Sequence, residues 1–184
     1  MLARTSVGGE QRAYLVNWLV FVVQWLHVLG GIFWFGGTLY VNFVAIPALR
    51  RAPPEYAREV SRNLNRQGER VILLVAVITI ALGFLRGTVF GPIQSLDALF
   101  GTAYGWTWLF ALIAAIATLA WGFFVLVPTA NRLADNDAAW TTTPDGKPTP
   151  EAQVAIGSVV RVALLELLGF AAVFTAMILM RFGL

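Results

Sequence analysis

The chain has 184 residues, of which 58% are hydrophobic and only 12% are charged, and it contains no cysteine. Its mean hydropathy is +0.72. Soluble proteins have about one-quarter charged residues, so we interpret the chain as an integral membrane protein with a single domain, residues 1–184. The missing cysteine excludes disulfides, iron–sulfur clusters, thiolate metal sites and cysteine nucleophiles. The arginines behind the net charge of +3 lie mostly in one loop between apolar segments, which indicates membrane topology and not nucleic-acid binding.

Four apolar stretches are long enough to cross a bilayer, which takes about 20 residues of helix. The first runs from about residue 14 to residue 46 without a charged side chain. Pro47 is predicted to end it, because the residue before a proline disfavours helical geometry. The other three cover residues 71–90, 104–127 and 154–180. The sequence therefore predicts an all-α fold, a polytopic membrane protein built as a bundle of four transmembrane helices.

The connections between the predicted spans differ in length and charge. Residues 50–70 carry arginine and glutamate at i,i+3 and i,i+4 spacing, which predicts a short amphipathic helix on the membrane surface between spans one and two. Residues 91–104 form a brief loop with room for one helical turn. Residues 128–153 form a longer polar loop.

The distribution of arginine and lysine predicts the orientation of the spans. The connections 47–70 and 128–153 hold most of these residues, and positively charged loops tend to stay in the cytoplasm. The opposite side holds only Arg4, Arg12, Arg86 and Arg181. We therefore expect both connections in the cytoplasm and both termini outside, in the cell membrane.

A short internal similarity links the ends of spans one and three. The segment 43–50, which contains Pro47, resembles the segment 124–132, which contains Pro128. Two-helix units repeated in this way would be related by an axis along the membrane normal. Short apolar segments also resemble each other by chance, so both interpretations stay open.

His27 is the only histidine in the chain and lies inside the first apolar span. At about 1.5 Å of rise per residue, it lies roughly 30 Å from Pro47 and towards the outer leaflet. The same count brings Met177, Met180 and Arg86 to that layer. Histidine with two methionines is a soft ligand set suited to Cu(I), and histidine with one methionine also ligates haem iron. The alternative is structural, with the histidine bonded to a neighbouring helix and the methionines filling space.

The first span carries one face of small and polar residues. Gln24 and Gly31 recur at heptad spacing, and His27 and Trp34 form the adjacent row, so this face is predicted to turn away from lipid. The glycine pairs of this span allow either a neighbouring helix or a flat ligand to approach the backbone. Helix packing is the commoner reason for such glycines, and the polar side chains beside Gly31 make a cofactor pocket more plausible here than in an ordinary packing seam.

Glu166 is the only acidic residue within an apolar span. A carboxylate at this depth must be neutral or paired. Arg161 lies five residues earlier on the same helix and faces another side, which leaves Arg70 as the alternative partner. One interpretation is a buried Glu–Arg pair that locks the helices together. The others are a proton relay or a carboxyl group that faces a bound cofactor.

The segment 26–37, Leu-His-Val-Leu-Gly-Gly-Ile-Phe-Trp-Phe-Gly-Gly, resembles the first-helix signature of the copper-resistance D (CopD) type of membrane protein. Phe43 and Pro47 continue the similarity, and the four-span plan agrees with it. Related four-helix proteins include the HemJ-type protoporphyrinogen oxidases, whose first-helix histidine is matched by His27. The resemblance implies a periplasm-facing copper role for one branch and haem-linked redox chemistry for the other. The HemJ-type lysine of the third helix is missing, since the only lysine is Lys147, which argues against that oxidase activity.

Three functions follow from these patterns. The leading prediction is a CopD-like protein that binds or passes copper near the outer leaflet, with His27 as ligand and Met177 and Met180 as partners. The alternative is a small b-type haem protein with His27 axial and a second ligand from Met177 or from a second subunit, which would make a homodimer. The third is an accessory subunit of a larger membrane complex. No catalytic triad, phosphate loop, zinc motif or nucleotide fingerprint is present, so hydrolytic chemistry is disfavoured.

Overall fold

Long apolar stretches favour continuous helices in lipid, because each backbone polar group must be satisfied within its own segment. The computed structural model describes residues 5–145 and 147–183, with side chains from Val16 onward. In this part of the chain the regular structure is helical, apart from one isolated antiparallel β-bridge between Thr142 and Pro148. The predicted all-α fold is confirmed.

Four helical spans are long and apolar enough to cross a membrane, as predicted. They cover Val16–Leu49, Pro54–Gly87, Ala103–Asp135 and Pro150–Arg181. The first span contains most of helix α1 (Thr5–Tyr40). This helix begins before residue 14, where the first span was predicted to start. The second and fourth spans are the unbroken helices α3 (Pro54–Gly87) and α7 (Pro150–Arg181). Helix α4 (Leu96–Phe100) is the short turn expected between spans two and three.

Neighbouring spans run antiparallel and pack through small residues. Gly30 of the first span contacts Thr79 of the second, and Gly169 of the fourth contacts Thr118 of the third. A β-carbon at either glycine would collide with the threonine hydroxyl, so both positions require glycine for this close approach. Spans one and four also meet, which closes the ring of four helices.

The first and third spans pass through a proline without ending, so the prediction that Pro47 closes the first helix is wrong. A π-helical turn, Val41–Ala45, precedes Pro47, and a second, Gly122–Leu126, precedes Pro128 at the same offset. The π turn widens the helix next to the proline, whose ring would clash with the preceding turn of a regular α-helix. The similarity of the two segments therefore extends to their backbone. The helices that follow the π turns are α2 (Ile46–Leu49) and α6 (Val127–Asp135).

The amphipathic segment at 50–70 is helical, but it is not the separate surface helix that was predicted. It forms the start of α3, which runs unbroken from Pro54 into the second span. After Pro54 this helix contains no further proline and no glycine pair, so nothing interrupts the backbone hydrogen bonds where the charged half meets the apolar half. The spacing of charges correctly predicted that this segment is helical, but not that the helix continues into the second span.

The segment 128–153 is largely structured and is not one polar loop. The third span consists of helix α5 (Ala103–Trp121), the π turn and helix α6, and α6 covers the first residues of the segment 128–153. A 3₁₀ turn, Asp137–Trp140, follows α6. Arg58 of α3 donates to the carbonyl of Ala134 at 3.0 Å and forms an ion pair with Asp137. Both connections lie at the same end of the bundle and satisfy each other's polar groups. We call this region the polar cap, formed by Arg58, Arg62, Ala134, Asp135 and Asp137.

Large apolar side chains cover the outside of the bundle. Those that are at least half exposed include Phe21, Ile32, Phe43 and Phe174. The buried cluster at the centre is small and consists of Trp34, Ala76 and Phe170. An exterior this apolar suits lipid rather than water, and the chain is an integral membrane protein. The side chains of Arg4 and Arg12, which entered the predicted topology, lie outside the described residues.

Candidate functional site

The imidazole of His27 is held by the facing helix. Its Nδ1 lies 2.9 Å from the backbone carbonyl oxygen of Thr79 in α3. A carbonyl oxygen can only accept, so Nδ1 carries the hydrogen and donates it, which leaves Nε2 with a free lone pair. The ring rests on Gly83, where a β-carbon would come within 2.7 Å of the imidazole Cε1. Metal-ligating histidines are usually fixed through their other nitrogen in this way, and the bond to α3 is also the contact that the structural alternative predicted.

A cavity of about 220 Å³ lies beside His27 among the four spans, and we call it the His27 cavity. Among the described residues no aspartate, glutamate, lysine or arginine lines it, and most of its wall is apolar or aromatic. The structure therefore brings together residues that are far apart in sequence but were predicted as one site. The predicted site residues that line it are His27, Gly31, Trp34, Met177 and Met180.

The two glycines of the first pair have different roles. Gly30 packs against Thr79, as described above, whereas nothing lies within 4 Å of a β-carbon built at Gly31. Gly31 instead lines the His27 cavity. Both alternatives drawn from the sequence are therefore present, with helix packing at Gly30 and open space for a ligand at Gly31.

The donor atoms around the His27 cavity suit a soft metal ion. They include the Nε2 lone pair of His27 and the thioether sulfurs of Met177 and Met180, the ligand types that Cu(I) prefers. The buried hydroxyl of Thr79, which has no hydrogen-bond partner among the described residues, lines the same cavity. No group of three or more histidine, aspartate or glutamate side chains that could hold a metal ion occurs among the described residues. A hard cation therefore has no candidate site of carboxylates here.

Gln24 and Arg86 do not line the His27 cavity, so their role as cofactor-binding residues stays a prediction. Gln24 is half-buried one turn before His27, on the same side of the helix but beyond the cavity. The Arg86 guanidinium donates from Nη1 to the carbonyl of Phe90 at 2.9 Å, and its buried Nε has no hydrogen-bond partner. Arg86 therefore caps the end of α3 instead of facing the cavity.

Glu166 lies at a second cavity of about 260 Å³ and is not part of the His27 site. Trp34 is the residue that lines both cavities, and it separates the His27 cavity from this one, which we call the Glu166 cavity. The predicted Glu–Arg pair is wrong within the described chain, since Glu166 forms an ion pair with neither Arg70 nor Arg161. The antiparallel packing directs this carboxyl towards Gly122 of the third span instead.

Three residues of the site were not predicted. Thr79 supplies the carbonyl that orients His27, Gly83 makes room for the ring, and Trp108 lines the opposite wall of the cavity. Trp108 packs on Gly87, where a β-carbon would overlap the indole. Gly83 and Gly87 are four residues apart in an otherwise bulky span. This spacing of small residues is the one signal in the sequence that indicated a close approach to α3.

Comparison with known proteins does not assign the chain to a family. No family model matches it, and no curated protein or solved structure is significantly similar to it. The residues and their geometry therefore carry the functional argument.

Proposed function

We propose that this protein binds Cu(I) in the His27 cavity, with His27 Nε2 as the principal ligand and Met177 and Met180 as thioether partners. The observation that carries the proposal is the hydrogen bond from His27 Nδ1 to the Thr79 carbonyl beside two methionines that line the same cavity. This bond orients the ring and leaves one nitrogen free. The similarity of residues 26–37 to the CopD-type first helix is a second reason.

The apolar wall supports a monovalent soft cation in preference to a divalent one. A cavity without carboxylates offers no negative charge to balance a divalent ion, and burying an unbalanced charge is costly. Cu(I) with neutral nitrogen and sulfur ligands carries one charge and suits such surroundings. The chain's own residues would hold the ion, exclude water with the rings of Phe35, Phe84 and Trp108, and so protect it from oxidation.

A b-type haem is the second candidate, because His27 Nε2 could serve as an axial ligand beside an aromatic wall. Cavities that hold drug-sized ligands are typically about 300–1,000 Å³. The His27 cavity, at about 220 Å³, lies below that range, which favours an ion over a macrocycle. The haem version would also draw its second ligand from Met177 or from a second copy of the chain.

In this proposal the polar cap faces the cytoplasm and the His27 cavity lies near the outer leaflet. The positive charge of the two connections supports this orientation. Copper would then be bound close to the external surface of the cell membrane, by the chain alone, as a homodimer or within a larger membrane complex.

The test is copper retention by the purified protein. Detergent-solubilised wild type is loaded with Cu(I) under anaerobic, reducing conditions, freed of excess metal and assayed for copper per chain. We expect stoichiometric copper in the wild type, loss in His27→Ala, and weaker binding in Met177→Leu and Met180→Leu. Gln24→Ala is the matched control on the same helix. An absorption spectrum of the unloaded protein with a Soret band, or equal copper in His27→Ala, would overturn the proposal in favour of haem or of no metal.

A further inference from the structure

The Glu166 cavity lies at the end of the bundle that carries the polar cap. Both π-helical turns contribute to its wall, through Asn42 and Ala45 on one side and Gly122 and Phe123 on the other. Single π turns inside α-helices are frequent at functional sites. The cavity is separated from the His27 cavity by Trp34, so a ligand here would be distinct from one bound by His27.

Glu166 is the chemical centre of this cavity. The residue is 6% exposed and lines the cavity, and its carboxyl group forms neither a hydrogen bond nor an ion pair with any described residue. Its Oε1 lies over Gly122, where a β-carbon would come within 2.7 Å of it. Buried charges in membrane proteins are rare and nearly always paired. A carboxyl group this buried and without a protein partner is either protonated or paired with a group from outside the chain, and the rest of the lining decides between the two.

The rest of the lining has the electrostatic character of a cation site. Glu69 is a second carboxyl group in the wall, and no arginine, lysine or histidine of the described part of the chain lines the cavity. The Asn42 amide donates to the Thr38 carbonyl at 2.9 Å, and the Asn65 amide donates to Asn131 at 3.2 Å. Each bond uses one of the two N–H groups of its donor amide and leaves the amide oxygens of Asn42 and Asn65 as acceptors. The cavity therefore presents oxygen acceptors and negative charge.

The remainder of the wall is apolar, and this favours an organic cation over a metal ion. Apolar side chains dominate it, among them Ile72, Leu119, Phe123 and Leu126. A bare metal ion requires several oxygen ligands around it, and such a wall cannot supply them on all sides. An organic cation places its charge on the carboxylate and its apolar body against the wall. At about 260 Å³ the cavity also lies below the range of about 300–1,000 Å³ for drug-sized ligands, so the organic cation must be smaller than these.

We propose that the Glu166 cavity binds a small lipophilic ammonium ion, a protonated primary or secondary amine with an apolar body. The ammonium group pairs with the Glu166 carboxylate, and the amide oxygens of Asn42 and Asn65 add further acceptors to the wall of the same cavity. The hydrocarbon part packs between the third span and Ile72. This site goes beyond the copper proposal and does not depend on it.

The experiment compares two probes of similar shape, benzylammonium and benzyl alcohol, on the full chain in lipid nanodiscs near neutral pH. Binding is measured by calorimetry and by the shift in thermal unfolding temperature. We expect benzylammonium to bind and stabilise the wild type, and benzyl alcohol to bind much more weakly. Glu166→Gln should lose most of the benzylammonium affinity, whereas Glu151→Gln, the same change at an exposed position of the same helix, should keep it.

Each unfavourable outcome overturns the proposal. Equal binding of the two probes would show partitioning into an apolar space, without a role for the carboxylate. Undiminished binding in Glu166→Gln would place the amine elsewhere, and no binding of benzylammonium by the wild type would leave Glu166 as a protonated structural residue. The comparison of probes on the wild type is decisive even if Glu166→Gln fails to fold. The interpretation of these results does not depend on whether the protein binds copper through His27.

Discussion

Trp34 packs edge-on against Phe170, with ring centroids 4.8 Å apart and an interplanar angle of 79°. Trp34 is only 4% exposed and lines both the His27 cavity and the Glu166 cavity. The indole is therefore the barrier between two spaces of different chemistry, one with soft donors and one with oxygen acceptors. Edge-to-face aromatic pairs add a specific geometry to the burial of apolar surface, which fixes the position of this barrier.

Replacing Trp34 by alanine should join the two cavities and destabilise the bundle. Large-to-small core substitutions of tryptophan cost about 3–5 kcal/mol of unfolding free energy. Trp25→Ala is the control, because Trp25 lies on the same helix but is 56% exposed, and its removal leaves no internal void. Reversible unfolding in mixed detergent micelles measures both variants. Equal losses for the two would contradict the central position of Trp34.

Gly83→Ala tests the orientation of His27 without changing a ligand. The added methyl carbon would lie 2.7 Å from the imidazole Cε1, so the ring must move and lose its bond to the Thr79 carbonyl. Loss of such an orienting contact weakens metal affinity by about 10–100-fold. Competition with a coloured Cu(I) chelator measures this change.

Gly36→Ala is the control for that substitution, since nothing lies within 4 Å of a β-carbon at Gly36. It should keep the wild-type affinity for Cu(I). A folded Gly83→Ala variant with unchanged affinity would mean that the position of the imidazole does not matter for binding, and the copper site would then need other ligands.

Arg58 and Arg62 are predicted to contribute unequally to the polar cap. The Arg58 side chain is 25% exposed and bonds both the Ala134 carbonyl and Asp137, whereas Arg62 is 48% exposed and bonds only Asp135, at 3.4 Å. A hydrogen bond to a charged group contributes about 1.5–3 kcal/mol, and an exposed ion pair contributes about 0–1 kcal/mol. Arg58→Ala should therefore lower the unfolding free energy more than Arg62→Ala. Similar losses would indicate that the Ala134 bond is not maintained.

The orientation of the spans can be tested with single cysteines, because the native chain has none. Asp145→Cys lies in the connection before the fourth span and Asp97→Cys in the connection between spans two and three, and both positions are exposed. We expect a membrane-impermeant maleimide to label Asp97→Cys in intact cells and Asp145→Cys only after the membrane is opened. The reverse pattern would invert the proposed topology and move the His27 cavity to the cytoplasmic leaflet.

Local patterns were sufficient for part of the candidate site. His27, Gly31 and Trp34 share one face of the first span because the α-helix repeats every 3.6 residues, and Met177 and Met180 reach the same level by simple counting along α7. All five line one cavity. The same counting also predicted Arg86 as a residue of the site. Arg86 lies at the right depth but donates to the Phe90 carbonyl, because depth along a helix does not specify which way a side chain points.

The sequence by itself determined the class of the protein, the number of spans and the helical character of 50–70, because hydrophobicity and periodicity act over short stretches of chain. Only the tertiary structure decided where His27 Nδ1 finds its acceptor, that Glu166 pairs with none of the described arginines, and that Trp34 divides the interior into two cavities. These features depend on which faces of antiparallel helices meet. That register is decided by the contacts of small residues such as Gly30, Gly83 and Gly122 with side chains more than 40 positions away.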